Sequence, residues 1–178
     1  LDQFKRWYSQ AGTPRLRARG RYDAPTRTYT LALEQSALPS PGQPVKQPFV
    51  LPVAMGLVGR DGRALPLQLE GEAEPVGTGR VLVLTEPREF FTFVNVDVEP
   101  VPSLLRGFSA PVVLSDSLAD ADLLVLLQHD HDAFNRWEAG QRLALNRLLG
   151  AIQGEGHLQL DASFIEAMRA VLRDPSLD

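Results

Sequence analysis

The chain has 178 residues, of which 44% are hydrophobic and 22% charged, with a formal net charge of -4. That composition is ordinary for a soluble globular protein, and the acidic balance speaks against broad electrostatic binding to nucleic acid or anionic lipid. No apolar run is long enough to span a bilayer, and the absence of cysteine excludes disulfides, thiol nucleophiles and thiolate metal sites.

The opening stretch carries Phe4, Trp7 and Tyr8 beside Lys5 and Arg6. Large aromatics contribute most where they cap a core or a domain interface, and the cluster reads that way. Thirteen of the fourteen prolines then fall between Pro14 and Pro111. Proline removes a backbone donor and breaks helices, so this region is predicted to be strands and loops. From about residue 115 to 173 the chain can support long helices, and a domain boundary is expected near Ser115.

Arg15, Arg17, Arg19 and Arg21 alternate with Leu16, Ala18, Gly20 and Tyr22, which puts four guanidiniums on one face of a strand. The ladder reads as a solvated face that discourages edge pairing. A cradle for an acidic partner or neighbouring domain is the alternative. After a turn at Asp23, Ala24 and Pro25, a second strand carries Tyr29, Leu31 and Leu33. Residues 49–58 are apolar on both faces, as expected of a strand covered on two sides. Asp61 and Gly62 supply a hairpin turn, with Leu65, Leu67 and Leu69 running back from it. Residues 80–85 and 90–98 read as two more strands, and 104–108 with 112–114 as a last one. Seven or so short strands predict an antiparallel immunoglobulin-like sandwich.

Beyond the boundary the apolar period lengthens to about 3.6 residues. Ser117 is predicted to cap a helix running to His129, Asp132 a second ended by Gly154 and Gly156, and Asp161 a third. Phe134, Trp137, Leu145, Leu148, Leu149 and Ile152 form the apolar stripe of the second helix. Three such helices are marginal alone and read as the opening of a larger helical array.

Candidate chemistry is sparse. His129 and His131 lie two apart, whereas helical zinc ligands sit at i and i+4, so His129, Asp130, His131 and Asp132 read as a polar helix junction. A small metal hydrolase built on the two histidines is the competing idea. His157 lies among glycines with no ligand partner nearby and reads as a surface residue. No nucleophile elbow, phosphate-binding loop or dinucleotide fingerprint is present.

Three stretches resemble one family in order. Residues 3–14, with Phe4, Trp7 and Tyr8, resemble the junction after the catalytic domain of bacterial aminopeptidase N. Residues 100–112, through Leu105, Arg106, Gly107 and Phe108, resemble the end of its immunoglobulin-like domain. Residues 129–143, through Asp132, Ala133, Phe134, Asn135, Arg136 and Trp137, resemble the start of its helical domain. Lys46, Gln47 and Pro48 and the Asp61–Gly62 turn fall in matching order, so the resemblance covers essentially the whole chain.

The resemblance implies a cytoplasmic zinc enzyme that removes N-terminal residues from peptides, its zinc held by two histidines and a glutamate. The family's H-E-x-x-H and G-x-M-E-N motifs do not occur here, since Met55 precedes Gly56 and no histidine precedes glutamate. No catalytic or zinc-binding residue can therefore be carried over. The expectation is a non-catalytic fragment without cofactor, consistent with a chain that starts at Leu1. Residues 1–12 would be the tail of the catalytic domain, 13–115 the sandwich, and 117–178 the first helices of the terminal domain. Expected partners are the catalytic and remaining helical domains of the same polypeptide, with self-association of the isolated piece and no nucleic acid or membrane. Phe4, Trp7, Tyr8, Arg15, Arg17, Arg19, Phe134 and Trp137 are the candidate interface residues. An independent sandwich module binding a peptide, glycan or protein is the alternative function.

Overall fold

A computed structural model describes residues 2–154 and 161–175. A short helix α1 (Arg6–Ser9) leads into eight strands: β1 (Arg15–Asp23), β2 (Thr28–Ser36), β3 (Leu51–Gly59), β4 (Ala64–Leu65), β5 (Arg80–Leu84), β6 (Arg88–Phe93), β7 (Pro100–Leu104) and β8 (Val113–Ser115). Three longer helices follow: α2 (Asp120–His129), α3 (Ala133–Gln153) and α4 (Ala162–Leu172).

The strands form two packed sheets. One has the order β6-β2-β1-β8, and in the other β3 pairs with β4, β5 and β7. The alternating pattern of β1 and β2 dictates the inner faces: Leu16, Ala18, Tyr29, Leu31 and Leu33 point inward against Leu51, Val53, Met55, Leu57, Leu82 and Leu84. Each fully buried leucine, valine or methionine among them stabilises by about 1.5–3 kcal/mol. This is the immunoglobulin-like sandwich that the strand count predicts. Its one deviation among the described strands is β8, which runs parallel to β1, with Arg15 opposite Val113 and Arg17 opposite Ser115.

A second core explains why residues 49–58 are apolar on both faces. Val58 and Val101 lie on the far side of the β3/β7 pair and pack with Leu123, Leu126, Leu127, Ala139, Leu143 and Ala167 of the three helices. The helices are thus seated on the outside of one sheet.

Several boundaries differ from the sequence expectations. The return from the Asp61–Gly62 turn pairs only through β4, because Pro66 has no N–H to extend the ladder; Leu67 turns into the core, and Leu69 keeps a single bridge to Phe93. The strand expected over 90–98 ends at Phe93, and Asn95 takes a left-handed conformation, φ 57°. The last strand expected over 104–108 and 112–114 is instead β7, a 3-10 turn (Arg106–Phe108) and β8 in the opposite sheet. Ser117 does not cap α2: the N-cap is Ala119, whose backbone N–H is accepted by Asp122 Oδ2 at 3.0 Å. Asp132 and Asp161 do cap α3 and α4, accepting from the N–H groups of Asn135 and Phe164. Gly154 ends α3, whereas Gly156 and His157 lie outside the described residues.

Candidate functional site at the sandwich–helix joint

Where β7 leaves the sandwich the backbone becomes left-handed three times in four residues. Leu105 has φ 57°, Gly107 φ 60° and Phe108 φ 54°. Only glycine adopts this without strain, so the two others cost roughly 1–2 kcal/mol each. Side chains from both units hold the turn. Arg106 donates from Nε to Ser103 Oγ at 2.8 Å and from Nη2 to Asp130 Oδ1 at 3.0 Å. Asp130, between α2 and α3, is 1% exposed, so the ion pair is desolvated.

The guanidinium lies flat against β3 over Gly56. A Cβ at Gly56 would stand 2.2 Å from Arg106 Nη1, so the strand needs glycine there. Asp130 Oδ1 also accepts from Asp132 N–H at 3.0 Å, and Asp132 divides its carboxylate between Asn135 N–H and Gly107 N–H, each at 2.9 Å. Buried Asn135 closes the circuit, donating from Nδ2 to Ser103 Oγ at 2.7 Å and to the Leu104 carbonyl at 2.9 Å. The Arg106–Asp130, Gly107–Asp132, Asn135–Ser103 and Asn135–Leu104 links cross between the end of the sandwich and the α2–α3 corner. The arrangement ties the two parts of the chain together through buried polar groups.

His129 is the exposed last residue of α2, and its imidazole ring rests on the β3–β4 turn, with Nδ1 2.6 Å from where a Gly62 Cβ would be. Gly62 has φ 85°, so its conformation favours glycine, and a larger residue would also have to displace the exposed His129 ring. His131 is exposed on the corner. Among the described residues no three His, Cys, Asp or Glu side chains come together in a way that could hold a metal. The motif from His129 to Asp132 is a polar helix junction in which the aspartates form the hydrogen bonds and His129 packs on the turn.

The other candidate residues separate into three places. Trp7 packs on Phe49 with ring centroids 4.5 Å apart and donates from Nε1 to the Val50 carbonyl at 3.1 Å. Arg6 and Gln3 bond to the carbonyls of Pro48 and Thr85, so α1 is fixed to the end of the sandwich, while Phe4 and Tyr8 remain exposed. Arg15, Arg17 and Arg19 stand exposed on the outer face of β1. Phe134 lies between Phe108 and Trp137 with tilted rings, centroids 5.5 and 5.9 Å away, which carries an aromatic row across the joint. Trp137 is 57% exposed and lines a groove of about 360 Å³ between α3 and α4, with Phe164, Met168 and Val171.

The sequence alone assigns no role to Ser103, Arg106 or Asn135, the last two entering only within the resembling stretches, and Gly56 enters only as a mismatch to a motif. The available signal was that glycine: inside an otherwise apolar strand it marks close approach by another group. Its partner, an arginine fifty residues later, leaves no local trace.

Comparison with known proteins agrees with this two-part structure. Residues 12–117 match the family described as Domain of unknown function (DUF3458) Ig-like fold, and residues 120–178 its companion, DUF3458_C, ARM repeats. Aminopeptidase N of Escherichia coli (strain K12) is 39% identical over all of this chain, which spans 20% of that protein. Aminopeptidase N of Caulobacter vibrioides is 37% identical over all of this chain, which spans 19% of it. A crystal structure of Legionella pneumophila aminopeptidase A in complex with aspartic acid superposes with a TM-score of 0.79 at 27% identity, covering 99% of this chain and 18% of that one. The chain therefore belongs to the DUF3458 Ig-like family and is homologous along its whole length to about a fifth of bacterial aminopeptidase N.

Proposed function

We propose that the chain is a non-catalytic positioning module of a cytoplasmic zinc aminopeptidase. In this reading residues 1–12 end the catalytic domain, 13–115 form the spacer, and 117–178 open the terminal helical domain and hold it over the catalytic cleft. The observation that supports the reading is the joint, where a buried ion pair and its hydrogen bonds link sandwich and helices. A hinge meant to move freely would not be built around a desolvated charge pair, whose rupture is costly.

The exposed row of Leu145, Leu148, Leu149 and Ile152 on α3 supports a second element of the proposal. Further helices of the same polypeptide would cover it, as a repeat array requires. Zinc and its ligands would belong to the catalytic domain, and enclosure by the helical domain would favour short peptides and limit water exchange.

With zinc and an aminoacyl chromogenic substrate, the 178-residue chain is expected to show no turnover, and robust turnover would overturn the reading. In the full-length enzyme Arg106→Leu should lower kcat/KM on peptides while leaving zinc content unchanged. Unaltered kcat/KM in a variant shown to have a loosened joint would remove the positional role.

A further inference from the structure

The outer face of the β1 sheet has a charge pattern that the positional role leaves unused. Arg15, Arg17, Arg19 and Arg21 are all exposed there, and their guanidiniums donate no hydrogen bond to any described residue. Cross-strand register sets Arg17 beside Glu34 and then Arg88, and Arg19 beside Ala32 and then Phe90. Glu34, the carboxylate across from Arg17, is engaged by Arg88 Nη2 at 2.8 Å, and Asp23 ends the same alternation on β1. These residues surround a shallow hollow of about 180 Å³. Phe90, 64% exposed, forms its apolar wall.

Edge protection does not account for the whole ladder. At Arg15 and Arg17 the strand has neighbours on both sides, β2 and β8, so there is no free edge to guard at those positions. The molecule as a whole is acidic, with net charge -4. A cationic strip on an otherwise anionic surface attracts an acidic partner to one place and repels it elsewhere, which is how charge supplies orientation and specificity.

Spacing narrows the partner. Alternate residues of a strand recur about every 6.7 Å, so the four arginines rise from the strand at that period. An extended polypeptide laid along β1 presents its own alternate side chains at the same interval. We propose that this face binds an extended acidic polypeptide segment with carboxylates at every second residue, lying along β1 with an apolar side chain against Phe90. Arg17 and Arg19 form the centre of the surface, since they border the hollow.

Fluorescence anisotropy on the 178-residue chain tests this with a labelled peptide of alternating glutamate and threonine. The comparison probes are an isomer with the same glutamates in one block and an inorganic polyphosphate of equal charge. The alternating peptide should bind more tightly than either. Arg17→Gln with Arg19→Gln should weaken it about tenfold, the sum expected for two exposed charge pairs, while Arg63→Gln, away from this face, leaves binding unchanged. Replacing one central threonine by leucine should tighten binding, and Phe90→Ser should abolish that gain while leaving the charge-dependent part. Circular dichroism confirms that each variant is folded. Absence of binding by the alternating peptide, equal affinity for the block isomer, tighter binding of polyphosphate, or full retention by the folded double variant would each overturn the proposal.

Discussion

Arg106 is the residue on which most of the joint converges: its guanidinium meets Ser103, Asp130 and the bare backbone of Gly56. Removing one partner of a buried ion pair strands the other, which typically costs about 3–5 kcal/mol. Arg106→Leu is therefore expected to lower unfolding free energy by about that amount in urea titration. Arg106→Leu combined with Asp130→Leu should cost less than the two single changes summed, since no charge is then left uncompensated. Gly56→Ala attacks the same contact from the strand side. It should destabilise by about 1–3 kcal/mol, the cost of an imperfectly paired buried group, and this effect should shrink when Arg106 is already leucine. Asn135→Ala leaves the Ser103 hydroxyl with Arg106 alone and should cost a similar amount.

Among the elements, α4 depends most visibly on charge. Asp161 caps it, and the Ser163 hydroxyl, the Phe164 N–H and the Arg147 guanidinium hold its carboxyl down to about 2 from an unfolded value near 3.8. A depressed carboxylate stabilises the fold at pH values above its unfolded pKa, and the contribution is lost as pH falls through its folded pKa. The docking of α4 is thus expected to weaken between about pH 4 and pH 2. Asp161→Asn, an equally good cap without the charge, should flatten that part of the pH dependence when helicity is followed by circular dichroism. Arg147 makes the same capping aspartate a point of assembly. It also reaches Asp120 at the start of α2 and lies 4.6 Å from the centroid of the Phe164 ring.

Much of this element structure was legible in the sequence because its causes are local. The Arg15–Tyr22 alternation, the Asp132 and Asp161 caps and the Asp61–Gly62 turn each depend on a few neighbouring residues. Ser117 misled because Asp122 reached back to the same turn and supplied the capping acceptor. The 3-10 turn at Arg106 was not legible, because left-handed Leu105 and Phe108 are sustained by Asp130 and Asp132, more than twenty residues away. For the same reason the two apolar faces of β3 could be read, whereas the helices that cover the second face could not be assigned to it.

For the whole molecule, the two cores meet at Val58 and Val101, which belong to sandwich strands but pack with the helices. The sandwich and the helices should therefore lose structure in one transition, and separate unfolding steps in a thermal melt would show that the joint is weaker than its geometry implies. The uncovered side of the helices has the opposite consequence. Ile152 is 78% and Leu172 81% exposed, and an apolar surface of this kind promotes association in water. Sedimentation velocity should show reversible self-association of the 178-residue chain, reduced by Leu149→Glu with Ile152→Glu. A strictly monomeric chain over a wide concentration range would indicate that this face needs no cover.

The parallel pairing of β8 with β1 places the first and last strands of the sandwich side by side, joined where Val113 N–H meets the Pro14 carbonyl at 2.9 Å. The chain comes in at the lower end of one strand and goes out at the upper end of the other. A tensile load applied across the sandwich would therefore pull these strands past each other along their length. Their hydrogen bonds would then share the force in shear instead of opening one at a time like a zip. Loss of the three-residue β8 ladder is therefore expected to lower the rupture force in single-molecule pulling far more than it lowers equilibrium stability.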